Sequence, residues 1–205
     1  SFKDKVSMSN LCQEITLPTT PIKGIDDPDG EIALCILSAI NVGAIGNLNE
    51  LETLCDLSVR ALDEIIELQD YPVKAAEVST KSRRSLGIGY IGLAHYLAKN
   101  GVKYSDPKAW ELVDRLSEAF QYYLLRASCD IAEEKGKCSA FDRTKYADGL
   151  LPIDHYKKEV DEIVVHKQRM AWETLRKDIL KYGLRHSTLS AQMPSESSSV
   201  VSNET

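Results

Sequence analysis

Hydrophobic and polar positions change rhythm several times along this chain, and each rhythm predicts an element. Residues 6–17, VSMSNLCQEITL, alternate well enough to predict an extended strand, and residues 31–38, EIALCILS, predict a second. The second run is apolar on both faces, as expected of a buried strand. Between them PTTPIKGIDDPDG is rich in Pro, Gly and Asp and predicts a plain connection. Its DDPDG lacks the alternating register of a calcium-binding EF-hand. From about Leu48 to Gln69 the period becomes helical, with Leu51, Cys55, Leu62, Ile65 and Ile66 on the expected core stripe. Asn47 and Glu50 make a capping-box-like start, and Tyr71-Pro72 ends the run.

KSRR, residues 81–84, reads as a basic patch ahead of SLGIGYIGLAHYLAKNG, in which Gly87, Gly89 and Gly92 spell GxGxxG. That fingerprint cradles a dinucleotide only after a buried strand, with an acidic residue on a second strand about 20 residues later. Here the preceding stretch is polar and no good second strand follows. The glycines are therefore expected to serve close packing at the start of a short helix ending at Gly101. Asp106-Pro107 opens another long helix with Gly136 just past its end. Its expected buried stripe is Trp110, Val113, Leu116, Phe120, Tyr123 and Ala127. Further helices are expected over 154–165 and 169–182, the latter closed by Gly183. The final STLSAQMPSESSSVVSNET has two readings. Composition favours a disordered Ser-rich tail. Alternatively STLSAQ is a short strand and PSESSS turns into a helix near Ser198, whose free backbone N–H groups suit a phosphate.

At 205 residues the chain suits one domain or a piece of a larger one, and its 43% hydrophobic fraction is that of a soluble globular protein. A net charge of −6 argues against a nucleic-acid groove or an anionic membrane as partner. No apolar run approaches the ~20 residues of a membrane span. No signal peptide is visible, and a first residue of Ser rather than Met suggests a chain that is processed, excised or split. Cys12, Cys35, Cys55, Cys129 and Cys138 form neither a disulfide framework nor a CxxC pair. His95, His155, His166 and His186 form no metal-binding spacing, so no structural metal is expected. The thiols fit a reducing cytoplasm. In that compartment the acceptor sequence Asn203-Glu204-Thr205 would meet no glycosylation machinery.

One short stretch carries candidate chemistry. In SNLCQE, Asn10, Cys12 and Glu14 occupy every second position, which on a strand puts an amide, a thiol and a carboxylate on one face. Alone, this pattern reads more plainly as a solvated strand. Together with ALCILSAIN, RRSLGIGYIGLAHYLAKNG, LPIDHYKK and GLRHSTLSAQMPSESSS, however, it resembles the catalytic large subunit of class I ribonucleotide reductase. The resemblance runs through essentially all 205 residues.

The resemblance implies an α/β fold, with residues 1–205 a helix-rich segment of a ten-stranded barrel and no second domain. A central finger loop would lie at about 6–17 and a phosphate-binding loop at about 194–199. Cys12 matches the thiyl-radical cysteine that removes the 3′ hydrogen of a ribonucleotide. Glu14 matches the acceptor of the 3′-hydroxyl proton, and Asn10 the amide that holds the ribose. Cys35 matches one member of a redox-active dithiol whose partner lies outside this chain. Ser195, Glu196, Ser197 and Ser198 match the loop that holds the substrate diphosphate. No cofactor is implied within the chain. The radical would come from a metal-containing small subunit, reducing equivalents from thioredoxin or glutaredoxin, and ATP or dNTP effectors would bind elsewhere on a large-subunit homodimer. The partner cysteine, the tyrosine pair that passes the radical inward and the C-terminal cysteine pair would lie outside this chain, and Cys55, Cys129 and Cys138 match none of these, so the chain alone is expected to be inactive. Cys12 and Cys35 are expected to line one cavity unbonded, with the PSESSS N–H groups facing it. The alternatives are a structural piece that docks with complementary chains, or a dinucleotide-dependent oxidoreductase using GIGYIG, which requires a strand before Gly87.

Overall fold

Helices outnumber strands along the chain, and the computed structural model describes residues 2–6, 9–164 and 167–203. In order they form strand β1 (Ile36–Asn41), helices α1 (Glu50–Leu68) and α2 (Lys74–Arg83), strand β2 (Leu86–Ile91), and helices α3 (Leu93–Lys99), α4 (Pro107–Lys135), α5 (Trp172–Tyr182) and α6 (Glu196–Val201). β1 and β2 pair in parallel, with Leu37 opposite Gly87 and Ala39 opposite Gly89. Residues 188–191 continue the sheet beyond β2: Ile88 bridges Ser190 in parallel, and the Leu86 and Ile88 N–H groups donate to the Thr188 and Leu189 carbonyls. Parallel neighbours need long crossovers, which the helices between them supply.

The hydrophobic core lies on one face of this sheet. Ile40, Leu86 and Ile88 meet Leu51, Cys55, Val59, Leu62 and Ile66 of α1, and Leu116, Phe120, Leu124 and Ile131 of α4. Both helices start and stop close to where their periodicity predicts. Their stripes are slightly rotated. Ile65 is exposed on α1 while Val59 and Asp63 are buried. On α4, Trp110 is exposed and Val113 and Tyr123 are half-buried, because the 3-4 repeat through Leu116, Phe120, Leu124 and Ala127 faces the core instead.

Other expectations need correction. The strand expected at 31–38 begins at Ile36, and with a single named partner strand its other edge and part of its faces stay open: Leu37 is 46% exposed. Gly87 and Gly89 lie inside β2 rather than at a helix start. The helix expected over 154–165 is replaced, up to the last described residue there, by 3-10 turns Pro152–Asp154 and Lys158–Glu162. None of the residues in those turns is buried, so no apolar stripe holds a helix there. The Asp154 carboxylate instead accepts from the Leu151 N–H at 2.7 Å and pairs with Arg176 of α5, also at 2.7 Å. His166 and the end of the Asn203-Glu204-Thr205 acceptor fall outside the described residues.

KSRR is no surface patch. Arg83 is buried and pairs with Asp4 and Glu31 at 3.0 and 2.7 Å. Arg84, in the left-handed region, reaches Glu67 and donates its Nε–H to Asp63 at 2.7 Å. Asp63 also receives the His186 Nε2–H at 3.0 Å and the Arg185 Nε–H at 3.3 Å, while His186 Nδ1 meets the Ser128 hydroxyl at 2.9 Å. Burial would raise the Asp63 carboxyl, yet His186 and Arg84 together hold it well below the usual carboxylate range. Burial lowers His186 despite Asp63 beside it. A neutral ring donating from Nε2 to the anion and accepting at Nδ1 from Ser128 satisfies every partner.

Candidate active site

Residues 9–16 close a small loop where a strand was expected. Ser9 bridges Thr16 antiparallel, the Asn10 N–H donates to the Ile15 carbonyl at 3.3 Å, and the Gln13 N–H to the Asn10 carbonyl at 3.2 Å. The Asn10 amide oxygen accepts the Ile15 N–H at 3.2 Å. Asn offers the backbone an alternative to a straight ladder, and here it folds the chain back on itself. Gln13 takes a φ of 61°, in the left-handed region. Positions 7 and 8 of the expected strand lie outside the described residues. Alternation therefore does not set the geometry of Asn10, Cys12 and Glu14. Cys12 stands exposed at the loop tip beside Leu11, which is 96% exposed.

From this loop Glu14 turns back toward the sheet. Its Oε2 is buried and has no hydrogen-bond partner among the described residues. It lines a cavity of about 300 Å³ with Ile88, Tyr90, Ser190, Ala191 and Gln192. Asn10 and Cys35 line a larger cavity of about 480 Å³ with Ile15, Leu17 and Glu31. Cys35 immediately precedes β1, and its thiol is pushed up to about 12, by burial first and by the negative charge of Glu14 second. It is thus held as S–H at neutral pH, within electrostatic reach of the carboxylate. Cys12 and Cys35 are both free thiols.

The floor beneath Cys35 is bare backbone. A Cβ at Gly87 would lie 2.9 Å from the Cys35 sulfur, and one at Gly89 would lie 2.6 Å from the Ala191 carbonyl oxygen. Segment 190–193 is fastened to β2 by Gln192, whose side-chain amide donates to the Tyr90 carbonyl at 2.7 Å and accepts its N–H at 3.4 Å. Three residues later α6 begins at Glu196, two residues before the expected start, with the Ser199 N–H donating to the Ser195 carbonyl at 2.8 Å. The Ser-rich end is thus a helix rather than a coil. Asn10 and Cys35 share the larger cavity and Glu14 lines the smaller one, while Cys12 and Ser195, Glu196, Ser197 and Ser198 line neither of the two. Sequence reasoning missed the parts played by Gly87, Gly89 and Gln192. The available signal was two glycines spaced by two, the period of one strand face.

GIGYIG is no dinucleotide cradle, because β2 starts at Leu86 and its glycines are covered by residues 191–193 and Cys35.

Comparison with known proteins extends this picture. The model of the ribonucleotide reductase barrel domain matches residues 1–205. The chain is 59% identical over 200 residues to the ribonucleoside-diphosphate reductase subunit alpha of Buchnera aphidicola subsp. Schizaphis graminum, covering 98% of this chain and 26% of that protein. It is 55% identical over 200 residues to the ribonucleoside-diphosphate reductase 1 subunit alpha of Escherichia coli K12, with the same coverage. Identity to the corresponding subunit of Enterobacteria phage T4 is 42% over 205 residues, 99% of this chain and 26% of that protein. The chain spans about a quarter of the length of these relatives.

Proposed function

This chain belongs to the ribonucleotide reductase barrel-domain family, and we propose that it carries the reacting residues of a ribonucleoside-diphosphate reductase as part of a larger subunit. Cys12 is the thiyl-radical residue. A thiol S–H bond is comparable in strength to a ribose C–H bond, so a sulfur radical can take the 3′ hydrogen. Glu14 accepts the 3′-hydroxyl proton, which eases loss of the 2′ hydroxyl as water. Asn10 holds the ribose hydroxyls. Cys35 and a cysteine outside this chain supply two electrons and close to a disulfide. Ser195, Glu196, Ser197 and Ser198 hold the diphosphate.

The observation that carries this reading is the Glu14 carboxylate, buried on one oxygen without a partner among the described residues and close enough to Cys35 to raise its thiol. A buried, unpartnered carboxylate oxygen is costly unless a substrate completes it. The fully exposed Leu11 beside Cys12 supports a tip that the rest of the subunit encloses. The successive parallel segments β1, β2 and 188–191, with an open edge on β1, support the ten-stranded barrel. The radical comes from a metal-containing small subunit, reducing equivalents from thioredoxin or glutaredoxin, and the enzyme works as an effector-regulated cytoplasmic assembly.

The test is Cys12→Ser in the full-length or reassembled enzyme. Deoxyribonucleotide formation is expected to vanish while nucleoside-diphosphate binding persists, because a hydroxyl keeps the shape but has a much stronger bond to hydrogen. Normal turnover would remove Cys12 from this role.

A further inference from the structure

The two faces of β2 are unlike. Leu86 and Ile88 are fully buried in the core, whereas Gly87 and Gly89 point to the face that carries Cys35 and residues 191–193. A Cβ at Gly87 would fall 2.6 Å from Leu37 Cδ2, 2.9 Å from Cys35 Sγ and 3.2 Å from Ala191 Cβ. At Gly89 it would fall 2.6 Å from the Ala191 carbonyl oxygen and 3.0 Å from Met193 Sδ. Neither glycine has a positive φ, so backbone conformation does not require them. Contact does.

We infer that Gly87 and Gly89 are positioning residues: Gly87 sets where the Cys35 sulfur rests, and Gly89 sets the path of residues 191–193 into the Ser195–Ser198 turn. This rests on the function proposed above and adds two residues that act through their neighbours. The division follows from the contacts. The clash at Gly87 is with a side chain that can rotate, so an added methyl group moves the thiol. The clash at Gly89 is with a carbonyl oxygen, so an added methyl group moves backbone.

The experiment uses the full-length or reassembled enzyme with Gly87→Ala, Gly89→Ala and Gly101→Ala. Gly101, at φ 69° with open space around its missing Cβ, controls for backbone strain alone. Three readouts are taken: Cys35 alkylation by iodoacetamide followed by peptide mass spectrometry, kcat, and KM for a nucleoside diphosphate. Gly87→Ala is expected to change the Cys35 alkylation rate severalfold and to lower kcat by about 10²-fold, the order of loss for a misplacement of about 1 Å, with KM little changed. Gly89→Ala is expected to raise KM about tenfold or more, the loss of one charge-assisted hydrogen bond, with Cys35 alkylation unchanged. Gly101→Ala is expected to move none of the three. A Gly87→Ala/Leu37→Ala double variant removes the Leu37 clash and restores packing while keeping the contact on sulfur. Its alkylation and kcat should stay altered, and their return to normal would overturn the inference, as would KM changes of equal size in the Gly87 and Gly89 variants. A wild-type enzyme that forms no deoxyribonucleotide would defeat the proposed function, whereas the alkylation contrast between Gly87→Ala and Gly101→Ala would still decide what Gly87 positions.

Discussion

Two carboxylates of this chain are treated in opposite ways. Asp63, on the helical side, is buried and receives bonds from Arg84, Arg185 and His186. Glu14, in the cavity it shares with Ile88, Gln121 and Ala191, keeps a buried oxygen with no partner among the described residues. A satisfied ion is expensive to break because its partners are left charged and dry. An unsatisfied one costs the fold something already, and its removal costs little more. The cluster around Asp63 thus spends its charges on holding the chain, whereas Glu14 keeps an oxygen that no described residue satisfies.

The widest separation between the two carboxylates should come from Glu14→Gln in the assembled enzyme. It is expected to slow deoxyribonucleotide formation by about 10²–10⁴-fold, the usual worth of a positioned proton acceptor. Thermal unfolding should change by no more than about 1 kcal/mol. Unimpaired turnover, or a large loss of stability, would erase the contrast.

Asp63→Asn tests the other carboxylate. Urea denaturation should show a loss of about 3–5 kcal/mol, because Arg84 would remain buried without its anion. A loss under about 1 kcal/mol would mean that the knot is no better held than Glu14.

The smallest effect is a pH dependence. His186 is lowered in the fold, so below its ordinary value of 6.5 the unfolded chain binds a proton that the folded chain does not. Stability is therefore complete above that pH and falls as pH drops through the window below it, by at most about 1.4 kcal/mol per pH unit. Asp63, also lowered, adds its own loss only below its ordinary value of 3.8. His186→Gln should flatten the upper part of this limb, measured as unfolding midpoint against pH. An unchanged slope would show that some other group sets it.

Much of the helical side was legible in the residues. A 3-4 repeat around Leu51, Cys55, Leu62 and Ile66, and a Pro107 start with a Gly136 stop, define their helices locally, since each signal acts within a turn or two of chain. The buried pairing of Arg83 and Arg84 was not legible. Asp4, Glu31 and Asp63 lie 20 to 80 positions away, and no local pattern links them.

The candidate site divides along the same line. Sequence alone determined which chemical groups are present and close in the chain: an amide, a thiol and a carboxylate within five residues, Cys35 beside an apolar run, and a serine cluster after a proline. Its alternation suggested a shared strand face, and the fold overrode it, because the Asn10 side chain turns the backbone at its own site. Only the tertiary structure decided that Glu14 lies within electrostatic reach of Cys35, that Cys35 rests on Gly87, and that Gly87 and Gly89 lie in a strand. Local propensity acts through neighbours a few residues apart, whereas a site is made by contacts between β1, β2 and a segment some hundred residues later. The cost of bringing those together is met by burial across the whole sheet rather than by any one stretch of it.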